Sequence, residues 1–403
     1  MRGWLLVGCV ACAAIDEEGG LQRGPPAVLV APRAVPGQRA TFEVRDVAPG
    51  TSVWLVRGAS VGPGPCPPAL GGACLGVRQP SVLGTAVAGP GGLARVTLTV
   101  PASAPVGARL LVQAATSAGE VTGPVWVEVV DDALAALSSE FDDPGDLADW
   151  RLLSDEEGHG ARHDVIEVVG GALRVVPNAW DDPTLGDGGQ GPGWFQDRKG
   201  PLLFRELDGD FAVRARVTAT TTAGGAPQSA FSSAGLLVRG VDSFDPARVP
   251  DLGDERWIMY NLGFQDGRLA TELKTTFPDG PDADAASQSS LFLDPVPVVS
   301  GEVVLCRVGD AVRAWRRIDG DFDWTPEAPS PATVAFDGAG LGADPLTAGF
   351  DRPDLAGPVQ VGFIVSRWAL GPGAGLVGLA ESVQFGVPAD LDDCLSAPVG
   401  GAP

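Results

Sequence analysis

The sequence predicts an all-β protein of two sandwiches in series, a small one followed by a larger one, and three observations predict it. Gly (56) and Pro (36) make up nearly a quarter of the 403 residues without a collagen period, the composition of a turn-rich chain. Between those turns, short apolar runs recur with period-two alternation, the pattern of half-buried strands. No long stretch shows helical amphipathicity, while 44% apolar residues are enough for a sizeable core.

At the N-terminus, Arg2 precedes the apolar run Trp4-Leu5-Leu6-Val7-Gly8-Cys9. Residues 1–15 resemble an export signal. Leu6-Val7-Gly8-Cys9 resembles the bacterial lipobox, which implies that Cys9 is lipidated. The shortness of the run leaves Cys12, or a start further upstream, as alternatives. Residues 16–25 read as a polar tether. No other segment has the roughly 20 apolar residues that span a bilayer, so membrane contact is expected only through an N-terminal lipid anchor.

From 26 to 131 the strands Ala40-Thr41-Phe42-Glu43-Val44-Arg45, Thr51-Ser52-Val53-Trp54-Leu55-Val56, Leu93 to Val100, Leu110 to Ala114 and Val125-Trp126-Val127-Glu128-Val129 follow turns such as Pro49-Gly50 and Gly91-Gly92. About seven strands in this length is the spacing of an immunoglobulin-like sandwich, and the stretch resembles the Ig-like domains of secreted bacterial proteins. Trp54 and Trp126 read as core. Residues 132–140 read as a linker or one helical turn.

The larger unit, 138–390, opens at Phe141-Asp142-Asp143-Pro144 and runs through Leu173-Arg174-Val175-Val176, Phe211 to Val217, Ala234 to Arg239, Arg256 to Leu262, Val303 to Val308, Ala311 to Arg317, Val359 to Val365 and Leu379 to Phe385. In one of these strands Phe211, Val213, Ala215 and Val217 point one way, and Arg214 and Arg216 the other. Asp319-Gly320 reads as a hairpin turn. The order of these strands resembles the concanavalin A-like lectin/glucanase jelly roll, close to its laminin-G-like members. Residues 391–403 form a C-terminal tail.

Of the six cysteines, the four beyond the N-terminal segment fit export. Cys66 and Cys74 enclose seven Pro/Gly-rich residues and suit a local disulfide, contributing roughly 2.5 kcal/mol by loop entropy. Cys306 and Cys394 are left to pair. Zinc ligation is disfavoured, because the spacing is not CxxC and no histidine is near.

The net charge of −23 argues against nucleic-acid binding and against adhesion to anionic lipid. Two histidines leave little room for His-based catalysis. The glucanase branch of the resembled fold uses a Glu-x-Asp-x-x-Glu strand, and no such array is present, so the protein is not expected to be an enzyme. Gly186 to Gly191 matches GxGxxG without a strand–helix context and reads as a loop. The lysine count of two, Lys199 and Lys274, reads as codon composition rather than function.

Two features point to ligands. Asp-rich loops, above all Asp181, Asp182 and Asp187, offer hard oxygens that suit Ca²⁺, with solvated acidic loops the favoured plainer reading. Trp180-Asp181-Asp182 and Gly193-Trp194-Phe195-Gln196-Asp197-Arg198 combine aromatic faces with hydrogen-bonding groups. Trp180, Trp194, Asp181, Asp182, Gln196 and Arg198 thus form a candidate glycan platform, with packing over the sandwich rim an equal alternative. The functional expectation is an exported, surface-anchored, non-catalytic protein that recognises carbohydrate or another extracellular ligand. A structural or adhesive envelope protein and a divergent hydrolase are the alternatives.

Overall fold

The computed structural model describes residues 27–32, 34–89, 92–157, 162–178, 193–195, 199–241, 255–277, 288–327, 350–368 and 375–398. The chain forms two compact units, one built on Thr41–Leu98 and Arg109–Glu128, the other on the chain from Val129 onward. No described helix is long and apolar enough to cross a membrane.

The first unit contains β1 (Val28–Val30), β2 (Arg39–Arg45), β3 (Ser52–Gly58), β4 (Ser60–Val61), β5 (Val77–Arg78), β6 (Ser81–Val87), β7 (Ala94–Thr99), β8 (Arg109–Thr116) and β9 (Val125–Glu128). They form a three-stranded sheet β1-β2-β7, a four-stranded sheet β6-β3-β8-β9 and the short pair β4-β5. Phe42, Val44, Val53, Leu55, Val96 and Val112 are buried, as the alternation requires. The expectation for Trp126 is corrected. Val127 takes the inward position on β9, so its neighbour Trp126 points out and is 54% exposed. Trp54 is half-buried beneath the 59–78 excursion, which the Cys66–Cys74 disulfide closes.

The second unit contains β10 (Arg151–Leu152), the short helix α1 (Leu153–Glu157), β11 (His163–Val168), β12 (Leu173–Pro177), β13 (Leu202–Leu207), β14 (Phe211–Thr221), β15 (Ser232–Gly240), β16 (Trp257–Gln265), β17 (Arg268–Phe277), β18 (Gln288–Pro295), β19 (Ser300–Val308), β20 (Ala311–Ile318), β21 (Thr325–Pro326), β22 (Phe350–Asp351), β23 (Val359–Arg367) and β24 (Leu376–Gly386). The predicted helical turn before it is the 3-10 segment Ala135–Leu137. Among the described residues, a seven-stranded sheet runs β10-β13-β23-β15-β16-β17-β18 and an eight-stranded sheet includes β11-β12-β24-β14-β19-β20-β21. The chain passes between the sheets at β10–β11, β12–β13, β13–β14, β14–β15, β18–β19, β22–β23 and β23–β24, and the paired strands are antiparallel. This is a jelly-roll sandwich, and the all-β prediction holds.

One core lies between the sheets. Phe211, Val213, Ala215 and Val217 of β14 enter it with Leu236, Val238, Tyr260 and Phe363 of the other sheet, while Arg214 and Arg216 turn outward as the alternation predicts. At the rim of this core Tyr260 Oη donates to Glu327 Oε2 at 2.5 Å, and Arg316 Nη1 donates to the same oxygen at 2.8 Å. Burial pushes the Glu327 carboxyl above the usual carboxylate range, against the pull of Tyr260 and Arg316.

Two turns fix the registers that matter below. Asp266 and Gly267, at φ 41° and 82°, form a two-residue loop between β16 and β17, the positive-φ pair that suits a hairpin. Asp319-Gly320 turns the chain from β20 toward β21, as predicted. On the outer face of the eight-stranded sheet, Cys306 and Cys394 form the second disulfide. Around it Ala397, Leu391 and Leu395 pack on Ala212, Val304 and Trp315. Gly386 is needed here, because a Cβ would lie 1.9 Å from the Ala397 carbonyl oxygen. Replacing both Cys306 and Cys394 by Ala is expected to lower stability by about 2–5 kcal/mol, since the bridge closes a long loop. Denaturant unfolding of the two proteins measures it.

Candidate functional site

Period-two alternation gives the seven-stranded sheet a second face, turned away from the sandwich core. On β15 it carries Ser233, Leu237 and Arg239; on β16 Trp257, Met259 and Asn261; on β17 Glu272 and Lys274; on β23 Gln360, Ile364 and Ser366. This outer face is covered. Leu153 of α1, Trp194 and the strand residues Leu202, Phe204, Leu237, Trp257, Met259 and Ile364 form a second apolar cluster on it.

Trp194 is the keystone of that cover, which corrects the expectation that it forms part of an exposed platform. It is 1% exposed and meets Trp257 edge-on at 5.9 Å. Its backbone N–H donates to Ser366 Oγ at 3.2 Å, and its carbonyl accepts from Lys274 Nζ at 3.0 Å. The physical reason is that the indole joins the apolar strand residues Leu202, Phe204, Trp257 and Met259, and Gly193 beside it passes close to the Arg367 carbonyl oxygen, 3.2 Å from where a Cβ would sit. Trp180, Asp181, Asp182, Asp187, Gln196 and Arg198 lie outside the described residues, as do Cys9, Cys12 and the remaining Asp-rich loops. No group of three or more His, Cys, Asp or Glu fit to hold a metal occurs among the described residues.

Two polar sets are sealed under this cover. The first is fully compensated. Arg239 donates from Nε and Nη2 to Glu255 at 2.8 and 2.7 Å and from Nη1 to Gln360 at 2.8 Å, and it lies 2.6 Å from Glu157. Lys199 lies 2.9 Å from both Glu157 and Glu255. Burial disfavours the charge on Glu255, but Arg239 and Lys199 outweigh it and hold the carboxyl below its usual range. Two cations against two anions make this a structural clamp.

The second set is a single buried ion pair with a neighbouring amide. The β16–β17 register places Asn261 opposite Glu272. Lys274 Nζ forms an ion pair with Glu272 Oε1 at 3.1 Å, yet neither Glu272 oxygen receives a hydrogen bond, although the residue is 1% exposed. Asn261 Nδ2 donates to Ser233 Oγ at 3.3 Å, and its Oδ1 accepts nothing. The Trp194 indole N–H is also unmatched. Polar atoms without hydrogen bonds at this depth are costly. Above the pair stands an aromatic rim. Lys274 Nζ lies 5.1 Å from the Phe195 ring centroid and 5.8 Å from that of Phe231, and Trp368 meets Phe195 edge-on at 5.4 Å. Phe195, Phe231 and Trp368 are half-buried.

Sequence reasoning reached this site only through Trp194 and Phe195. Glu272, Lys274 and Asn261 were missed. The available signal was Leu269-Ala270-Thr271-Glu272-Leu273-Lys274, where Glu272 and Lys274 share one face of the strand with Arg268. Both lysines of the chain, Lys199 and Lys274, are buried in ion pairs. The double variant Glu272→Leu/Lys274→Met is expected to be as stable as the parent or more so, by up to about 4 kcal/mol, because it removes a poorly satisfied buried pair as a unit. Thermal unfolding checks this.

The first unit holds a separate cavity of about 290 Å³ lined by Trp54, Val56, Leu70, Leu75, Val82 and Ala115, with no charged group in its wall.

No family model matches the chain, and no curated protein matches it. Among solved structures it is similar to a functionally unknown protein from Saccharomyces cerevisiae, at 16% identity over 60% of this chain and 99% of that one, with a TM-score of 0.36. It is also similar to the GH43 protein BlXynB of Bacillus licheniformis, at 12% identity over 91% and 66% of the two chains and a TM-score of 0.37. A third is a pseudo β-1,3-glucanase and immunostimulatory antigen of Mycobacterium tuberculosis, at 14% identity over 62% and 96% and a TM-score of 0.30. At these levels the similarities assign this chain neither a family nor an activity.

Proposed function

We propose that this is an exported, lipid-anchored protein that binds carbohydrate at the half-buried rings of Phe195, Phe231 and Trp368 without transforming it. The observation that carries the reading is a cluster of half-buried rings, Phe195 and Phe231 around the Lys274 ammonium and Trp368 edge-on to Phe195. Rings pack on the C–H faces of a sugar. The two disulfides support an oxidising compartment.

Binding without turnover is favoured by the carboxylate arrangement. Glycoside hydrolysis uses two carboxyl groups flanking one bond, about 5–10 Å apart. Across the face from Glu272 stand Asn261 on β16 and Leu293 on β18, and the nearby acids Glu157 and Glu255 are held by Arg239 and Lys199. A glycan array probed with the full chain tests the reading. Binding to a defined glycan class is expected, lost or weakened at least about tenfold in Phe195→Ala, with no reducing sugar released. Flat binding across all glycans, or release of sugar, overturns it.

A further inference from the structure

We infer that the first unit carries a peptide-docking site of its own: the free edge of β6 takes up an extended acidic segment of a partner protein as an added strand, with one large apolar side chain in the adjoining cavity. The inference is independent of the carbohydrate reading.

The edge is open. β6 stands last in the sheet β6-β3-β8-β9, and among the described residues it pairs with β3 alone. No other described residue bonds its backbone. Edge strands are ordinarily guarded by shortness, charge or proline. The other edges of the two larger sheets follow that rule: β1 has three residues, β7 carries Arg95 and β9 carries Glu128. By contrast β6, Ser81-Val82-Leu83-Gly84-Thr85-Ala86-Val87, has seven residues without charge or proline, and a register shift against β3 is its one irregularity. Val82 and Val87 are 61% and 63% exposed on it.

The cavity of about 290 Å³ adjoins this edge. Pro80 and Val82 form one wall, Trp54 and Val56 of β3 the next, and Leu70 and Leu75 of the 59–78 excursion the third. That volume lies just under the range of small-molecule sites, about 300–1,000 Å³, and suits one large side chain. Side chains on a strand added to β6 lie about 5 Å from their β6 neighbours, so the one opposite Val82 reaches the cavity. Main-chain hydrogen bonds then supply affinity and the cavity supplies selection.

Charge selects the partner. Residues 26–131 hold seven arginines against five acids, although the whole chain has a net charge of −23. Glu43 is engaged by Arg45 and Arg95, and Glu128 by Arg109. Arg57 and Arg78 are exposed and have no acidic partner among the described residues. Arg57 Nε donates to Ser81 Oγ at 2.7 Å, and Arg78 precedes Ser81 by three residues. Both therefore mark the end of the edge where the cavity lies, and acidic residues of the incoming strand meet them there.

The test is fluorescence polarisation of the full chain with two labelled peptides, Asp-Asp-Thr-Leu-Thr-Val-Thr-Val-Thr and its reverse, one for each strand direction. One of them is expected to bind and to slow amide exchange within Ser81–Val87. Leu→Gly in that peptide should weaken binding at least about tenfold by emptying the cavity. A central Thr→Pro should do the same by breaking the ladder. Arg57→Glu/Arg78→Glu in the protein should weaken binding about fivefold or more. Val82→Lys should abolish binding although it adds a positive charge, and an unchanged unfolding midpoint shows that this exposed position tolerates it. Failure of both peptides to bind overturns the inference. Binding that survives the Pro peptide and Val82→Lys also overturns it, because it then belongs to charge alone. Sedimentation of the full chain by itself is expected to show no dimer that depends on Val82. A dimer dissolved by Val82→Lys gives the edge to a second copy and overturns the inference.

Discussion

Trp194→Ala is expected to destabilise the second unit by about 3–5 kcal/mol, the cost of emptying a large buried aromatic position. The indole is 1% exposed, meets Trp257 edge-on and belongs to the apolar cluster that covers the outer face of the seven-stranded sheet. Its loss strips that cover from Met259, Leu237 and Ile364 and leaves a cavity that their strands cannot collapse to fill. Urea unfolding followed by circular dichroism gives the number. An exposed sugar-stacking tryptophan would change stability by no more than about 0.5 kcal/mol, so a small value returns Trp194 to a surface role. Trp194→Phe keeps much of the packing and serves as the conservative control.

Arg239→Met comes next in size. The substitution leaves Glu157 and Glu255 buried with Lys199 as their remaining basic partner from the clamp, an uncompensated negative charge that costs about 3–5 kcal/mol. The same network has a pH signature. Glu255 is held below its usual range in the folded protein, so its contribution to stability is present above the unfolded carboxylate pKa and is lost as pH falls through the lower folded value. In the parent, stability should therefore fall on acidification through the acid side of the ordinary carboxylate range. In Arg239→Met that fall should be shallower, because the shift that produced it is gone. Denaturant midpoints measured at a series of pH values for the two proteins decide it. A parallel pair of curves would remove Arg239 as the cause.

Much of the architecture was legible in the residues. Gly and Pro punctuation with period-two runs gives strands and turns directly, because those signals are local. The Phe211–Thr221 strand shows its inward and outward residues by alternation alone, and both predicted disulfides are formed. Alternation also explains where the reading of the tryptophans went wrong. It tells that Trp126 and Val127 face opposite ways, but not which way is inward. That choice belongs to the strands on either side.

The site was legible only in fragments. Trp194 and Phe195 drew attention as an aromatic pair, yet one is sealed in a cluster and the other stands in the rim. Nothing in the local sequence separates the two, since the difference lies in the strand residues that Trp194 packs against. Glu272 and Lys274 looked like ordinary strand charges because solvated Glu and Lys are common. Their meaning depends on Asn261 standing opposite, which follows from the Asp266-Gly267 hairpin, and on a cover that arrives from far away in the chain.

Sequence by itself determined the class of fold, the turns, the alternation of the strands and the two covalent bridges, because each is set by residues close in the chain or by chemistry unique to cysteine. Tertiary structure alone decided that the second face of the seven-stranded sheet is buried, that both lysines lie beneath its cover, and that one carboxylate there is left without hydrogen bonds. The physical reason is that burial and the satisfaction of polar groups are properties of what packs above a residue, and no residue carries that information in its own neighbourhood.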